Sequence, residues 1–180
     1  MIFSELEPFL DKKRRELLAA LDVFGPEERH LNEYEGGWNP VGIVEHLSIV
    51  EEQVIAEIER LLGGEAVRPS EPEDRKLVDI TALFEQKGLL GTPKKSPLSA
   101  FPTGKVTYED GLERLAEVRG RLKALLPLLA ARETNSLVSR HPLGVELNAC
   151  QWLLFSAFHE WGHIHQLKRI RGVHSGRLAE

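Results

Sequence analysis

Apolar residues recur at three- and four-residue intervals over four long stretches of this chain, a period that amphipathic helices satisfy and strands do not. The first stretch covers residues 5–24 with Leu6, Phe9, Leu10, Leu17, Leu18, Leu21 and Phe24, is interrupted by Lys12-Lys13-Arg14-Arg15, and stops at Gly25-Pro26. The second begins at Asn39-Pro40, an asparagine able to accept from the free N–H groups of a first turn and a proline with none to satisfy. Val41, Val44, Leu47, Ile49, Val54, Ile58, Leu61 and Leu62 form its stripe, and Gly63-Gly64 ends it. A third helix is predicted over roughly 108–132, opened by Thr107-Tyr108-Glu109-Asp110 in the manner of a capping box, with a bend at Pro127. Its stripe is Leu112, Leu115, Val118, Leu122, Leu125, Leu126 and Leu129. Asn148, with Gln151 three residues on, caps a fourth helix that reaches about Arg171 ahead of Gly172. No stretch reads as a strand, so the expected class is all-α.

Residues 63–106 are of another kind. They hold Pro69, Pro72, Pro93, Pro97 and Pro102, and only the part around 73–87 reads as helical. So long a connection between helices two and three is uncommon in a compact domain and often lies near function. In a bundle it lets the chain cross between parallel or non-adjacent helices. The 180 residues suit a single domain, 1–180, with 42% hydrophobic and 28% charged residues as in an ordinary globular protein. The apolar runs are too short and too broken by charge to span a bilayer. Acids within the first ten residues and no small-residue cleavage site argue against a signal peptide. One cysteine, Cys150, excludes an internal disulfide framework and fits a reducing, cytoplasmic setting. A net charge of −5 argues against nucleic acid as a partner. The basic runs Lys12-Lys13-Arg14-Arg15 and Lys168-Arg169-Ile170-Arg171 read as solvated helix edges.

The chemistry concentrates on the fourth helix, in Phe158-His159-Glu160-Trp161-Gly162-His163-Ile164-His165-Gln166. His159 and His163 stand one turn apart on one face, ~6 Å along the axis, and imidazoles so spaced can converge on one cation. The segment is also a literal H-E-x-x-H, which in a zinc protease would make Glu160 the general base. Against that, Glu160 points ~100° around the helix from His159, and no third ligand is signalled downstream. His46 lies within the stripe of helix two and must there be hydrogen-bonded or bound to metal, because an unsatisfied buried polar group is costly. Three histidines supply three corners of a tetrahedron and leave one position for water or substrate.

The remaining polar and aromatic positions carry two readings each. Gln166 shares the face of His159 and His163 and could orient a ligand or a bound water, or simply sit polar near the helix end. His165 reads as surface, His141 as part of a structural turn, and Glu51 and Glu52 as surface residues in preference to a fourth ligand. Cys150 falls on the face away from His159 and reads as a buried small residue. Trp38, Trp152 and Trp161 read as packing residues, although a tryptophan beside a metal could line a pocket.

Three pieces in order make the chain resemble the DinB/YfiT-like superfamily, from about residue 5 to 171. They are Trp38-Asn39-Pro40 with His46-Leu47; His141-Pro142-Leu143-Gly144 with Leu147 and Gln151-Trp152; and His159, His163 and Gln166. The resemblance implies a four-helix bundle of up-down-down-up course, often a homodimer, with one divalent metal on His46, His159 and His163. Many members carry a further histidine where Gly162 stands, so an acid–base role at that position is not expected here. Members include thiol-dependent transferases, isomerases and suspected hydrolases. The expected activity is therefore metal-assisted transfer involving a low-molecular-weight thiol, or hydrolysis of a small molecule, with Glu160 the only nearby carboxylate to act as base. Imidazole donors suit zinc, nickel and iron alike. The rival is a non-catalytic metal- or ligand-binding bundle, but a structural metal prefers four protein ligands and only three are evident.

Overall fold

The computed structural model describes residues 1–63, 76–77, 80–86 and 96–175. A turn of 3-10 helix, Phe3–Glu5, leads into α1 (Leu6–Asp22), and α2 spans Pro40–Leu62. Asn39 caps α2, its Oδ1 accepting from Gly42 N at 2.9 Å. Within the connection α3 spans Ile80–Gln86; the rest of the expected 73–87 helix, and Gly64, Pro69, Pro72 and Pro93, lie outside the described residues, save for 76–77. The third stretch is two helices, α4 (Tyr108–Ala124) and α5 (Leu126–Ala130). Pro127 has no N–H to continue the ladder, so the expected bend is a break. Thr107 Oγ1 caps α4 by accepting from Asp110 N at 3.1 Å.

One element was not expected. Strands β1 (Val138–Arg140) and β2 (Glu146–Asn148) pair antiparallel, Val138 opposite Asn148 and Arg140 opposite Glu146. Three-residue strands are too short to display a period of two. The turn between them closes on Gly144 at φ 81°, a left-handed conformation that glycine takes without strain. β2 runs straight into α6 (Ala149–His174), where Asn148 and Gln151 each accept from the other's backbone N–H at 2.9 Å. Among the described residues no helix is long and apolar enough to cross a membrane.

Side-chain partners give the direction of each long helix. Between α2 and α4, Val44 meets Gly111 and Glu51 meets Arg119, and Leu62 accepts from Arg132 just past α5, so both numbers rise together and the two helices are parallel. Between α1 and α6, Phe9 meets Phe158, Arg14 meets Glu160 and Val23 meets Arg171, again parallel. Between α1 and α4 the order reverses, Leu10 pairing with Arg119 and Arg14 with Leu115. The course is up-down-down-up. A chain leaving the far end of α2 must return its whole length, ~35 Å, before starting α4, which is why the connection is long.

The core is largely apolar, and at mid-height each long helix contributes one buried charge to a shared ring. Glu51 Oε2 and Oε1 accept from Arg14 Nη2 and Arg119 Nε, both at 2.6 Å. Glu160 Oε1 accepts from Arg14 Nε and Arg119 Nη2, both at 2.7 Å. The four residues are 2–8% exposed. Arg14 and Glu51, expected at the surface, are thus interior. Each fills a stripe position, Arg14 between Leu10 and Leu17 and Glu51 between Leu47 and Val54, as Arg119 does between Leu115 and Leu122 and Glu160 between Ala157 and Ile164. Two positive and two negative charges cancel, and short charge-assisted bonds offset the cost of taking them out of water.

Candidate metal centre

The second turn of α2 and the middle of α6 run antiparallel against each other and bring His46, His159 and His163 together, one ligand atom from each within 4.8 Å of the others. The nitrogens that face inward are the three Nε2 atoms. His159 Nε2 lies 3.1 Å from His46 Nε2 and 3.2 Å from His163 Nε2. Nitrogens on a tetrahedral zinc at ~2.0–2.1 Å stand ~3.3 Å apart, so the spacing fits a cation at their centre.

Proton bookkeeping supports the same fit. His46 Nδ1 lies 2.6 Å from Ala100 O. A carbonyl only accepts, so Nδ1 carries the hydrogen and, in the neutral ring, Nε2 is a bare lone pair. His163 Nδ1 similarly meets Gln166 Oε1 at 2.8 Å. His159 Nε2 then faces two lone pairs, and a single proton on it could serve only one. A cation serves all three. Burial holds the rings neutral, the form that ligates. It lowers the His46 pKa against the opposing Ala100 bond. It lowers His159 well below the ordinary value, with the neighbouring His163 adding to the effect. It takes His163 down to about 3, with His46 adding and the Gln166 bond opposing.

The surroundings hold these rings in place. Trp38 lies over His46 with ring centres 4.3 Å apart, and stacks on His163 at 6.2 Å. Phe155 stacks on His159 at 5.5 Å. The end of the connection that carries Ala100 is itself tied to α2, because Glu45 Oε1 accepts from Thr103 N at 3.0 Å and Thr103 Oγ1 at 2.6 Å, and Oε2 accepts from Gly104 N at 3.1 Å. Glu45 and Ala100 were not anticipated. Glu45 has a faint signal, an acid inside an apolar stripe; a backbone carbonyl from a loop has none.

Other expected residues fall as follows. Gln166 is half-buried and bonded to His163. Glu160 faces the ring of charges, 2% exposed, its Oε1 shared by two guanidinium groups and its Oε2 without a partner among the described residues. His165 is exposed beside Trp161, which at 40% exposure is a surface residue and not a packing one. Glu52 is exposed enough to pair with Arg114 and Arg121 at the bundle edge. Cys150 is buried. His141 makes the turn: Gly144 N donates to its carbonyl at 2.8 Å and Leu143 N to its Nδ1 at 3.1 Å. Its ring packs with Phe84, Trp152 and Phe155.

A family model described as the DinB superfamily matches residues 10–167. Among solved structures, TT2238, a four-helix bundle protein, is 23% identical, with 94% of this chain and 98% of that one covered and a TM-score of 0.60. YfiT from Bacillus subtilis, described as a probable metal-dependent hydrolase with an unusual four-helix bundle topology, is 18% identical, with 96% and 87% covered and a TM-score of 0.62. No curated protein matches the chain.

Proposed function

The chain belongs to the DinB superfamily, and from that premise we propose that it is a metal-dependent enzyme acting on a small molecule through His46, His159 and His163. The observation that carries the reading is the convergence of three imidazole nitrogens, two of them bare lone pairs, that a single proton on His159 Nε2 cannot satisfy together. The described likeness of fold to YfiT, a probable metal-dependent hydrolase, supports it. One divalent ion per chain, zinc, nickel or iron, is the cofactor.

When bound, such a cation supplies Lewis acidity and lowers the pKa of a water or thiol it holds. The chain's own residues prepare for it. Ala100 O and Gln166 Oε1 take the Nδ1 hydrogens of His46 and His163, fix their tautomers and make the opposite nitrogens more basic. Trp38 and Phe155 cover the flanks of the cluster and keep water off the imidazole faces. His46, His159 and His163 would hold the ion, and the chemistry it would supply is activation of water in hydrolysis or of a low-molecular-weight thiol in transfer. Glu160 does not act as base in this reading, because Arg14 and Arg119 hold its carboxylate inside the bundle. The H-E-x-x-H protease loses its general base on the same ground. The chain works as one cytoplasmic domain and as a homodimer, the latter checked by light scattering.

Metal content decides the premise. Protein purified without added metal should carry near one divalent ion per chain by mass spectrometry, and His46→Ala, His159→Ala and His163→Ala should each lose it. A wild type that is metal-free and cannot be loaded ends the enzymatic reading. With metal in place, aryl-ester hydrolysis and transfer to a small thiol are compared with and without chelator. Activity in neither would leave the bundle a metal-binding protein.

A further inference from the structure

Beside His159, between α2 and α6, lies a small cavity lined by Leu47, Val50, Glu51, Ser156, His159 and Glu160. It gives a water-sized sphere about 10 Å³ to move in, the room one water needs. Two polar atoms of the residues that line it have no hydrogen-bond partner among the described residues, Ser156 Oγ and Glu160 Oε2. Their residues are 5% and 2% exposed. Four positions apart on α6, the two side chains stand one turn above the other on the same face, ~5–6 Å between Cβ atoms. The two atoms do not bond each other, because Glu160 turns its carboxylate toward Arg14 and Arg119, and one molecule between them can serve both.

The wall chemistry selects that molecule. A cation is disfavoured, because Glu51 and Glu160 are already neutralised by Arg14 and Arg119. An anion would face two carboxylates. A water can donate to Glu160 Oε2 and exchange a hydrogen bond with the Ser156 hydroxyl. Dry cavities are lined by apolar groups, and this one is not.

The geometry points to a single internal water held by Ser156 Oγ and Glu160 Oε2, which serves as the outer partner of His159. His46 and His163 each have a partner at Nδ1, Ala100 O and Gln166 Oε1, whereas among the described residues the hydrogen bonds of His159 lie on Nε2. The water supplies the third of these outer contacts and links the cluster to the ring of charges. Ser156 and Glu160 are then positioning residues for His159. This role rests on the three-histidine metal reading; the water site itself does not.

The test pairs a high-resolution crystal structure of cation-free protein with cobalt titrations. Wild type should show a peak within hydrogen-bond distance of both Ser156 Oγ and Glu160 Oε2, and Ser156→Val, which fills the cavity, should not. Cobalt affinity should fall roughly tenfold in Ser156→Val and in Ser156→Ala, the scale of losing an outer partner of a ligand, and Ser156→Thr should restore it by keeping the hydroxyl. The His159 ring ¹⁵N shifts should report one tautomer in wild type and a mixture in Ser156→Ala. A dry cavity in wild type overturns the proposal. A water with unchanged cobalt affinity in both variants overturns the positioning role. A wild type that binds no cobalt removes the metal reading and the positioning role together, while the crystal peak still supports the water.

Discussion

His141 shows what a single buried imidazole does to the chain's response to acid. Among Phe84, Trp152 and Phe155 its charged form loses hydration, and burial pushes its pKa down to about 4. In the unfolded chain the ring has its ordinary value near 6.5. Between those values the unfolded state takes up a proton that the folded state refuses. The stability is therefore complete above about pH 6.5 and falls with decreasing pH until about 4, by up to ~1.4 kcal/mol per pH unit. His141→Asn keeps an acceptor for Leu143 N and does not titrate. Urea unfolding in chelator, from pH 7 to 4, should give a shallower slope for the variant, at lower overall stability because the ring packing is gone. The ligand histidines shift in the same direction, so the difference between the two curves is the quantity to read. Parallel curves would remove His141 as a source.

At the scale of elements, the four long helices are keyed to one another by Arg14, Glu51, Arg119 and Glu160. Each guanidinium bridges two carboxylates and also donates to a backbone carbonyl of a different helix, Arg14 to Leu115 and Arg119 to Leu10. Glu51 is five residues beyond His46 and Glu160 adjoins His159, so the ring sets the offset of α2 against α6 that lets the histidines meet. Removing one partner leaves a buried charge uncompensated. Arg14→Met should therefore cost ~3–5 kcal/mol in denaturant unfolding. Replacing all four with Met or Leu should cost far less than the sum of single changes, since apolar side chains of similar volume need no partner. A loss under ~0.5 kcal/mol for Arg14→Met, the size of a surface change, would show the ring to be solvated in solution.

For the whole molecule, a cation on His46, His159 and His163 would tie α2 to α6 and so bind the folded state only. Mass action then raises stability by ~2.7 kcal/mol at a hundredfold excess over Kd. For a chain of this size that is about 5–10 °C in melting temperature. Added zinc or nickel should give that shift in wild type and none in His46→Ala. An equal shift in the variant would place the cation elsewhere.

The helices, their caps and the candidate ligands were legible because they depend on local rules. A period near 3.6, Asn39 before Pro40, Asn148 with Gln151, and histidines four apart all act within one or two turns. The hairpin was not, since three-residue strands hold no period, and the break at Pro127 was read only as a bend. Arg14 and Glu51 were misread for a different reason. A charge in an apolar stripe is favourable only if opposite charges arrive from other helices, and Glu160 arrives at Arg14 from 146 residues away. The same holds at the centre: the sequence by itself determined that His159 and His163 share a face and that His46 sits in a stripe. That Ala100 would fix one tautomer, Trp38 cover the cluster and the charges close into a ring was decided only by the tertiary structure, because those contacts join segments whose separation along the chain carries no local signal.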